Sequence, residues 1–405
     1  MLDRNRYAEA IAIYRDKMRD HIRRGEVPAD YVRHLSAGSQ SLNRLRYHQE
    51  AYEVIRLIME GVDCISDPTE RAIQTYLSWG AKAFTVSFLG LWRESIAAYE
   101  KAIDLGERGA YARIEAARAE PGRDAVYEPA DHRELGSMHG RIGAFGDAQE
   151  SFSVAEQRLE DVKGRLDDRT YRDEMARLLN ARAIVHTDLG EYEEAGGNAL
   201  DAARIQEALG EEEPYRNLQA AINYVTAGRA RRELARREDE DYASSFEAFD
   251  GALRVLNLVP EEDRDQEHSD RKSEARLQRG RTRILDGDYD SAIEDLEQAL
   301  SLSSPLNLVQ HAGEHALYLG EAHLELEDLP SARKRLEEAV DLAEDHDTPE
   351  TLWRGRYALA SVRARLGTQG RGPSGGGKAR AGKVRGDDRA APLAAPAGVV
   401  EDLHA

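Results

Sequence analysis

Apolar and small residues recur along this chain at the spacing of paired helices, separated by glycine. The clearest copy consists of Gly143, Phe145, Ala148, Phe152 and Ala155. A glycine can adopt the positive φ that ends a helix, and the residues that follow it lie on one face of a second helix. Similar phrases begin at Gly190 and Gly287. The pattern predicts helical hairpins, each with an apolar face that a neighbouring hairpin covers.

These copies resemble the tetratricopeptide repeat family. The best match uses Leu135, Gly136, Gly143, Phe145, Ala148, Phe152 and Ala155, and another uses Leu319, Gly320, Leu329, Ala332, Leu336 and Ala339. The resemblance covers residues 1–366 and implies an all-α, right-handed superhelical solenoid of seven or eight antiparallel hairpins. We assign residues 1–367 to this repeat domain. Residues 368–405 are rich in Gly, Pro and Ala and are predicted to form a disordered tail, either a passive terminus or an arm that binds nucleic acid or the acidic body.

The spacing of the repeats departs from that family. The small residue of each second helix falls at Ala10, Ala51, Ser95, Ala148, Ala195, Ser245, Ala292 and Ala332. These positions are 40 to 53 residues apart, whereas the family repeat is about 34 residues. The extra residues must lengthen helices or connections. The widest interval contains the breakers Glu120-Pro121-Gly122-Arg123 and Glu128-Pro129, which predict a surface loop rather than longer helices.

Apolar residues near the two ends of the predicted array indicate how the array begins and ends. Trp353, Tyr357, Leu359 and Val362 form the predicted stripe of a last helix that covers the final hairpin. Tyr7, Ala10, Ile13 and Tyr14 match a second helix, but too few residues precede them for a first helix. Either the reading frame begins upstream, or this end docks onto another chain, most simply as a homodimer.

Composition and charge exclude several classes of function. The chain has 405 residues, a net charge of -20 and one cysteine, Cys64. The negative charge disfavours general nucleic-acid binding and binding to anionic membranes. No apolar run approaches the ~18 residues of a membrane span, and no signal peptide is evident. We therefore expect a cytoplasmic protein without a cofactor.

Two segments resemble metal sites. His311, Glu314 and His315 spell the H-x-x-E-H of inverted zinc peptidases, but a zinc enzyme needs a third ligand in a closed cleft. Residues 286–297 have the acidic spacing of a calcium loop but carry Ser291 where the turn requires Gly. The repeat pattern accounts for both segments better, so neither a metal site nor catalytic residues are predicted.

In this family the first helices of successive hairpins line a concave groove, and their variable residues contact a partner. The resemblance therefore implies a binding surface that includes Arg33, Gln40, Asn43, Arg44, Arg133, Ser137, Arg141, Arg177, Asn180 and Arg281. Arginine and asparagine suit carboxylates and acidic peptides. Alternatively, these arginines pair with Glu and Asp on neighbouring helices. Phe84 and Phe88 are interpreted as core residues, with a partner anchor as the alternative.

The sequence thus predicts a non-catalytic, protein- or peptide-binding scaffold of the tetratricopeptide repeat type. The alternative is a regulatory module that senses a ligand or peptide and changes curvature on binding. A zinc peptidase through His311, Glu314 and His315 is the third reading.

Overall fold

The computed structural model describes residues 4–44, 47–117, 123–303, 309–345 and 348–369, and all regular structure in these ranges is helical. The α-helices are α1 (Arg4–Arg24), α2 (Ala29–Arg44), α3 (His48–Gly61), α4 (Pro68–Phe88), α5 (Trp92–Leu105), α6 (Tyr111–Ala117), α7 (Tyr127–Arg141), α8 (Phe145–Val162), α9 (Asp168–Leu189), α10 (Tyr192–Gly210), α11 (Arg216–Glu238), α12 (Ala243–Asn257), α13 (Gln266–Asp286), α14 (Tyr289–Ser303), α15 (Val309–Glu325), α16 (Leu329–Asp345) and α17 (Pro349–Gln369).

The helices form consecutive antiparallel hairpins, as the sequence predicts. Within the described ranges there are seven pairs, namely α2–α3, α4–α5, α7–α8, α9–α10, α11–α12, α13–α14 and α15–α16. The second helix of each pair packs against the first helix of the next pair, as α8 does against α9 and α14 against α15. First helices also contact one another, for example α2 with α4, α7 with α9 and α11 with α13. We call the surface formed by these first helices the first-helix face.

Glycine at the hairpin turns has the backbone conformation that the pattern requires. Gly90, Gly143, Gly190 and Gly287 have φ between 73° and 84°. Two hairpins place another residue at this position, Asp239 with φ 57° and Glu327 with φ 60°. Side chains with a Cβ are strained in this region, so these two turns carry a backbone cost that the glycine turns avoid.

Replacement of Glu327 by glycine is expected to stabilise the α15–α16 hairpin. Relief of the left-handed strain should exceed the entropy that glycine adds to the unfolded chain, giving a net gain of about 0.5–1 kcal/mol in unfolding free energy. Urea denaturation measures this difference. Glu327→Ala is the matched control, because it removes the same side chain but retains the Cβ. An equal gain in both variants would show that the loss of the Glu327 side chain, and not relief of backbone strain, causes the effect.

The second helices pack through small residues. Seven of the predicted small positions are fully buried: Ala51, Ser95, Ala148, Ala195, Ser245, Ala292 and Ala332. The side chain of Ala10 lies outside the described residues. The serines also donate a hydrogen bond across the hairpin, from Ser95 Oγ to the Ala83 carbonyl and from Ser245 Oγ to the Gly228 carbonyl, each at 2.8 Å. Close packing also requires glycine on the facing helix, since a Cβ on Gly228 would lie 2.5 Å from the Phe249 ring.

Replacement of Ala148 or Ala292 by leucine is expected to destabilise the protein. Both alanines have no exposed surface, so the added atoms would overpack the hairpin at a cost of ~1–3 kcal/mol. Urea denaturation of each variant provides the measurement. Gln149→Leu, at an exposed position of the same helix, serves as the control. Unchanged midpoints for the alanine variants would contradict this hairpin register.

The predicted loop in the widest interval is wrong for most of its length. Gly106–Ala110 form a kink, with Gly109 at φ 110°, that leads into α6. Arg123–Val126 form a short 3₁₀-helix, and Glu128 and Pro129 lie in the first turn of α7. Proline is tolerated there because its missing N–H would have no intrahelical partner. Residues 118–122 lie outside the described residues. In other repeats the extra length extends helices, to 22 residues in α9 and 23 in α11.

The predicted stripe of the last helix is only half correct. Leu359 and Val362 are buried against α15 and α16, but Trp353 and Tyr357 are 48% and 63% exposed. Helical spacing explains the difference, since Gly355, Leu359 and Val362 follow the i, i+4, i+7 pattern of one face. Trp353 and Tyr357 point away from that face.

Candidate functional site

A cavity opens on the first-helix face between α2, α4 and α7. Its volume is about 440 Å³, and we call it the N-terminal groove. The cavity has room because small residues stand on its wall at Ala37, Gly80 and Ala81. Its larger lining side chains include Ser36, Gln74, Leu77, Phe84, Tyr127 and Glu134. Three residues of the predicted binding surface, Arg33, Gln40 and Asn43, also line this groove. The side chain of Arg44, predicted with them, lies outside the described residues.

The N-terminal groove has an apolar and a polar part. Phe84 is 41% and Phe88 48% exposed, so the prediction that they are core residues is wrong. Their rings pack edge to face at 4.9 Å, and Phe88 stacks on His48. On the α2 side, Asn43 donates to Thr85 Oγ1 at 2.9 Å, whereas the buried Oγ of Ser36 has no hydrogen-bond partner among the described residues.

A carboxyl group, Asp131, lies at the base of this groove. It is only 9% exposed, and its Oδ2 accepts hydrogen bonds from the Tyr76 hydroxyl at 2.7 Å and the Tyr111 hydroxyl at 2.9 Å. Burial raises the pKa of Asp131 to about 7, although the two tyrosine hydrogen bonds lower it. Burial also raises the pKa values of Tyr76 and Tyr111. The tyrosines therefore remain protonated donors, and Asp131 titrates near neutral pH.

The segment between α5 and α7 contributes Tyr111 to the side chains that surround Asp131. Tyr111, the first residue of α6, packs against Tyr76 at 5.3 Å between ring centroids, and Tyr127 also packs against Tyr76, at 6.0 Å. A Cβ on Gly106 would lie 2.2 Å from the Tyr111 ring, so glycine allows this ring position. No sequence pattern marks Tyr76, Tyr111 and Asp131 as a site, because they lie far apart in the chain and outside the repeat signature.

Most of the predicted arginines form ion pairs within the protein. Arg33 contacts Glu70 at 3.4 Å and also Asp30, Arg177 contacts Asp173 at 3.2 Å, and Arg281 contacts Glu314 at 3.4 Å. Of the two alternatives that the sequence left open, intramolecular pairing is the one seen for these side chains.

Arg133 departs most from its prediction as an exposed groove residue. It is 8% exposed and joins α7 to α9, with Glu134 Oε1 at 2.8 Å and Glu174 as its second partner. The charges of Glu174 and Glu134 keep the pKa of Arg133 above its usual value in spite of burial, which lowers it. Replacement of Arg133 by an acidic residue would therefore disturb folding. A loss of partner binding in such a variant would not show that Arg133 contacts the partner.

The remaining predicted residues lie on the same face without forming ion pairs with described residues. Arg141 is exposed and lies 5.9 Å from the centre of the Trp92 ring. Ser137 Oγ donates to the Arg133 carbonyl at 3.1 Å. The buried Oδ1 of Asn180 has no hydrogen-bond partner among the described residues.

A second cavity of about 330 Å³ lies between α11, α13 and α15. Its walls include Ile222, Arg229, Asp270, Glu274 and His315. Glu274 accepts a hydrogen bond from Gln278 at 2.9 Å, and Arg229 is exposed at the rim. Both cavities therefore have more carboxylates than unpaired cationic groups among the described residues.

The segments that resemble metal sites belong to the repeats. His315 is buried, with its Nε2 3.1 Å from Ser273 Oγ, and Glu314 pairs with Arg281; the side chain of His311 lies outside the described residues. In the calcium-like segment, Tyr289 already begins α14. Elsewhere in the described residues, Glu107, Glu128 and His132 have ligand atoms within 4.8 Å of one another. Arg158 approaches Glu128 to 3.0 Å and supplies a positive charge to this cluster.

Comparisons with known proteins agree with this architecture. Residues 272–345 match the family model described as tetratricopeptide repeat. The chain is similar to RapI in its apo form, at 12% identity over 83% of this chain and 86% of that chain, with a TM-score of 0.56. It is also similar to a signal transduction ATPase with a tetratricopeptide repeat sensor from Pyrococcus horikoshii, at 14% identity over 87% of this chain and 50% of that chain, with a TM-score of 0.54.

At these identities the structural similarities concern the fold. No curated protein matches the chain in sequence. None of the described helices is both long enough and apolar enough to cross a membrane.

Proposed function

We propose that this chain, a member of the tetratricopeptide repeat superfamily, is a non-catalytic scaffold that binds a peptide segment of a partner protein in the N-terminal groove. The observation that carries the proposal is the groove itself, which is lined by the half-exposed Phe84 and by the polar side chains of Gln40 and Glu134. A concave site with an aromatic anchor and a few convergent polar groups is typical of ligand recognition.

A random heptapeptide library displayed on phage tests this proposal. The protein should enrich peptides that bind in solution, and Phe84→Ser should weaken their affinity by about tenfold or more, since a buried aromatic anchor carries much of the binding energy at such sites. Leu258→Ser is the control, because Leu258 is 58% exposed but does not line the groove. Failure to enrich peptides, or equal affinity for both variants, would refute groove binding.

The alternative function is a regulatory module that senses a peptide and changes curvature on binding. Its support is the similarity in fold to a chain described as carrying a tetratricopeptide repeat sensor. Small-angle scattering with and without an enriched peptide separates the two functions. A sensor should change its radius of gyration on binding, whereas a scaffold should keep it.

The acidic partner and the homodimer stay predictions. An acidic partner would have to displace the carboxylates that already pair with Arg33, Arg177 and Arg281. At the other predicted surface, Ile13 and Tyr14 of α1 are 57% and 41% exposed. If α1 mediates a homodimer, sedimentation equilibrium should show dimers that Tyr14→Glu dissociates, and a strict monomer would reject the interface.

A further inference from the structure

We propose that Asp131 binds one protonated nitrogen of the bound peptide, carried by a lysine or arginine side chain or by the peptide's N-terminus. The proposal rests on the proposed function and adds the chemistry of the ligand. It assigns a cationic group to the base of the N-terminal groove, where the sequence predicted only recognition of negative charge.

The two oxygens of Asp131 have different surroundings. Oδ2 accepts both tyrosine hydrogen bonds, whereas Oδ1 accepts none from any described residue. Asp131 lines the groove. Its Oδ1 lacks a partner but is not one of the fully buried unpartnered atoms, so this oxygen keeps some exposed surface. The free oxygen of a carboxyl group that is nine-tenths buried is therefore accessible from the groove.

This carboxyl group has no ion-pair partner among the described residues, and Arg133 acts on it only as a nearby charge that lowers its pKa. Neither lysine, arginine nor histidine forms an ion pair with Asp131 among the described residues. Its neighbour Arg133 pairs with Glu134 and Glu174, and Arg33, at the rim, pairs with Asp30 and Glu70. Burial of an uncompensated carboxylate is unfavourable, so a cation that enters the groove would gain a charge-assisted hydrogen bond.

The aromatic groups of the groove favour the same ligand. Tyr76, Tyr99 and Tyr127 line the cavity beside Asp131. Tyr76 and Tyr99 are buried, whereas Tyr127 is partly exposed, and aromatic rings attract cations. The hydroxyls of Tyr76 and Tyr111 hold Asp131 in place. The groove thus combines one free carboxylate oxygen with the partly exposed ring of Tyr127 and the apolar surface at Phe84, which fits a basic residue next to an apolar one.

Binding of a cation by this site should depend on pH. The groups that face Asp131 are Tyr76 of α4, Tyr99 of α5, Tyr111 of α6 and Arg133 and Glu134 of α7. Burial raises the pKa of Asp131 to about 7, so about half of the free protein carries the charge at neutral pH. Because the cation needs the ionised form, affinity should fall about tenfold between pH 8 and pH 6.

The experiment uses one peptide enriched from the heptapeptide library. Three synthetic versions are compared by fluorescence anisotropy: the selected sequence, a version with its basic residue replaced by norleucine, and a version with an acetylated N-terminus. One of the two modifications should weaken binding to the parent protein by about 30-fold or more, as expected when a buried charge pair loses one partner. The same modification should change binding to Asp131→Asn less than about threefold.

Asp147→Asn, which removes an exposed carboxylate from α8, is the matched control and should behave like the parent. The pH dependence should be present in the parent and absent in Asp131→Asn. Equal binding of all three peptides to the parent, or the same loss with Asp131→Asn, would overturn the assignment of Asp131. Groove binding would still stand if Phe84→Ser weakened the selected peptide, whereas failure to enrich any peptide would reject both proposals.

Discussion

Replacement of Glu174 by leucine is expected to lower the free energy of unfolding by about 3 kcal/mol, the size found when one partner of a buried ion pair is removed. Glu174 on α9 neutralises Arg133 on α7, which is 8% exposed. Without it, the guanidinium keeps only Glu134 as a charged partner. Urea denaturation at neutral pH measures the difference.

Two further variants distinguish the buried pair from an ordinary surface pair. The double variant Arg133→Met/Glu174→Leu should recover most of the lost stability, because it leaves no uncompensated charge. Glu115→Leu breaks the pair with Arg165, whose members are 32% and 51% exposed, and should cost at most about 1 kcal/mol. If Glu174→Leu costs no more than Glu115→Leu, Arg133 does not act as a buried charge that needs Glu174.

The second large effect concerns the stability of the protein as a function of pH. Burial raises the pKa of Asp131 from 3.8 to about 7. An acid with a raised pKa in the folded state stabilises that state at low pH, and this contribution is lost as the pH rises through the folded pKa. Asp131 should therefore make the protein less stable at pH 8 than at pH 5, by about 2–3 kcal/mol.

Asp131→Asn isolates this contribution. The asparagine keeps the shape and accepts the hydrogen bonds of Tyr76 and Tyr111 without titrating. Relative to the parent, the variant should gain about 2–3 kcal/mol between pH 5 and pH 8, measured by urea denaturation at both values. Asp147→Asn controls for the loss of a charge at an exposed position. A constant difference between parent and Asp131→Asn would show that burial does not perturb this carboxyl group.

Much of the fold could be predicted from local patterns. The turn at Gly143 and the contact at Ala148 depend on a left-handed glycine and on small residues at helical spacing, which are properties of short segments. The same rules failed at Pro129, because the sequence does not reveal whether a proline ends a helix or begins one. They also failed at Trp353 and Tyr357, where an apolar residue was taken as evidence of burial.

The sequence by itself determined the helical hairpins, their register and the acidic character of the chain, because neighbouring residues decide helix periodicity, turns and charge. Only the tertiary structure decided the site. Tyr76, Tyr111 and Asp131 come from α4, an inserted helix and α7, and the pairing of Arg133 with Glu174 depends on how α7 packs against α9. Repeats of unequal length set these distances between helices, so no local pattern could show which carboxyl group would be buried beside two tyrosines and which arginines would be neutralised.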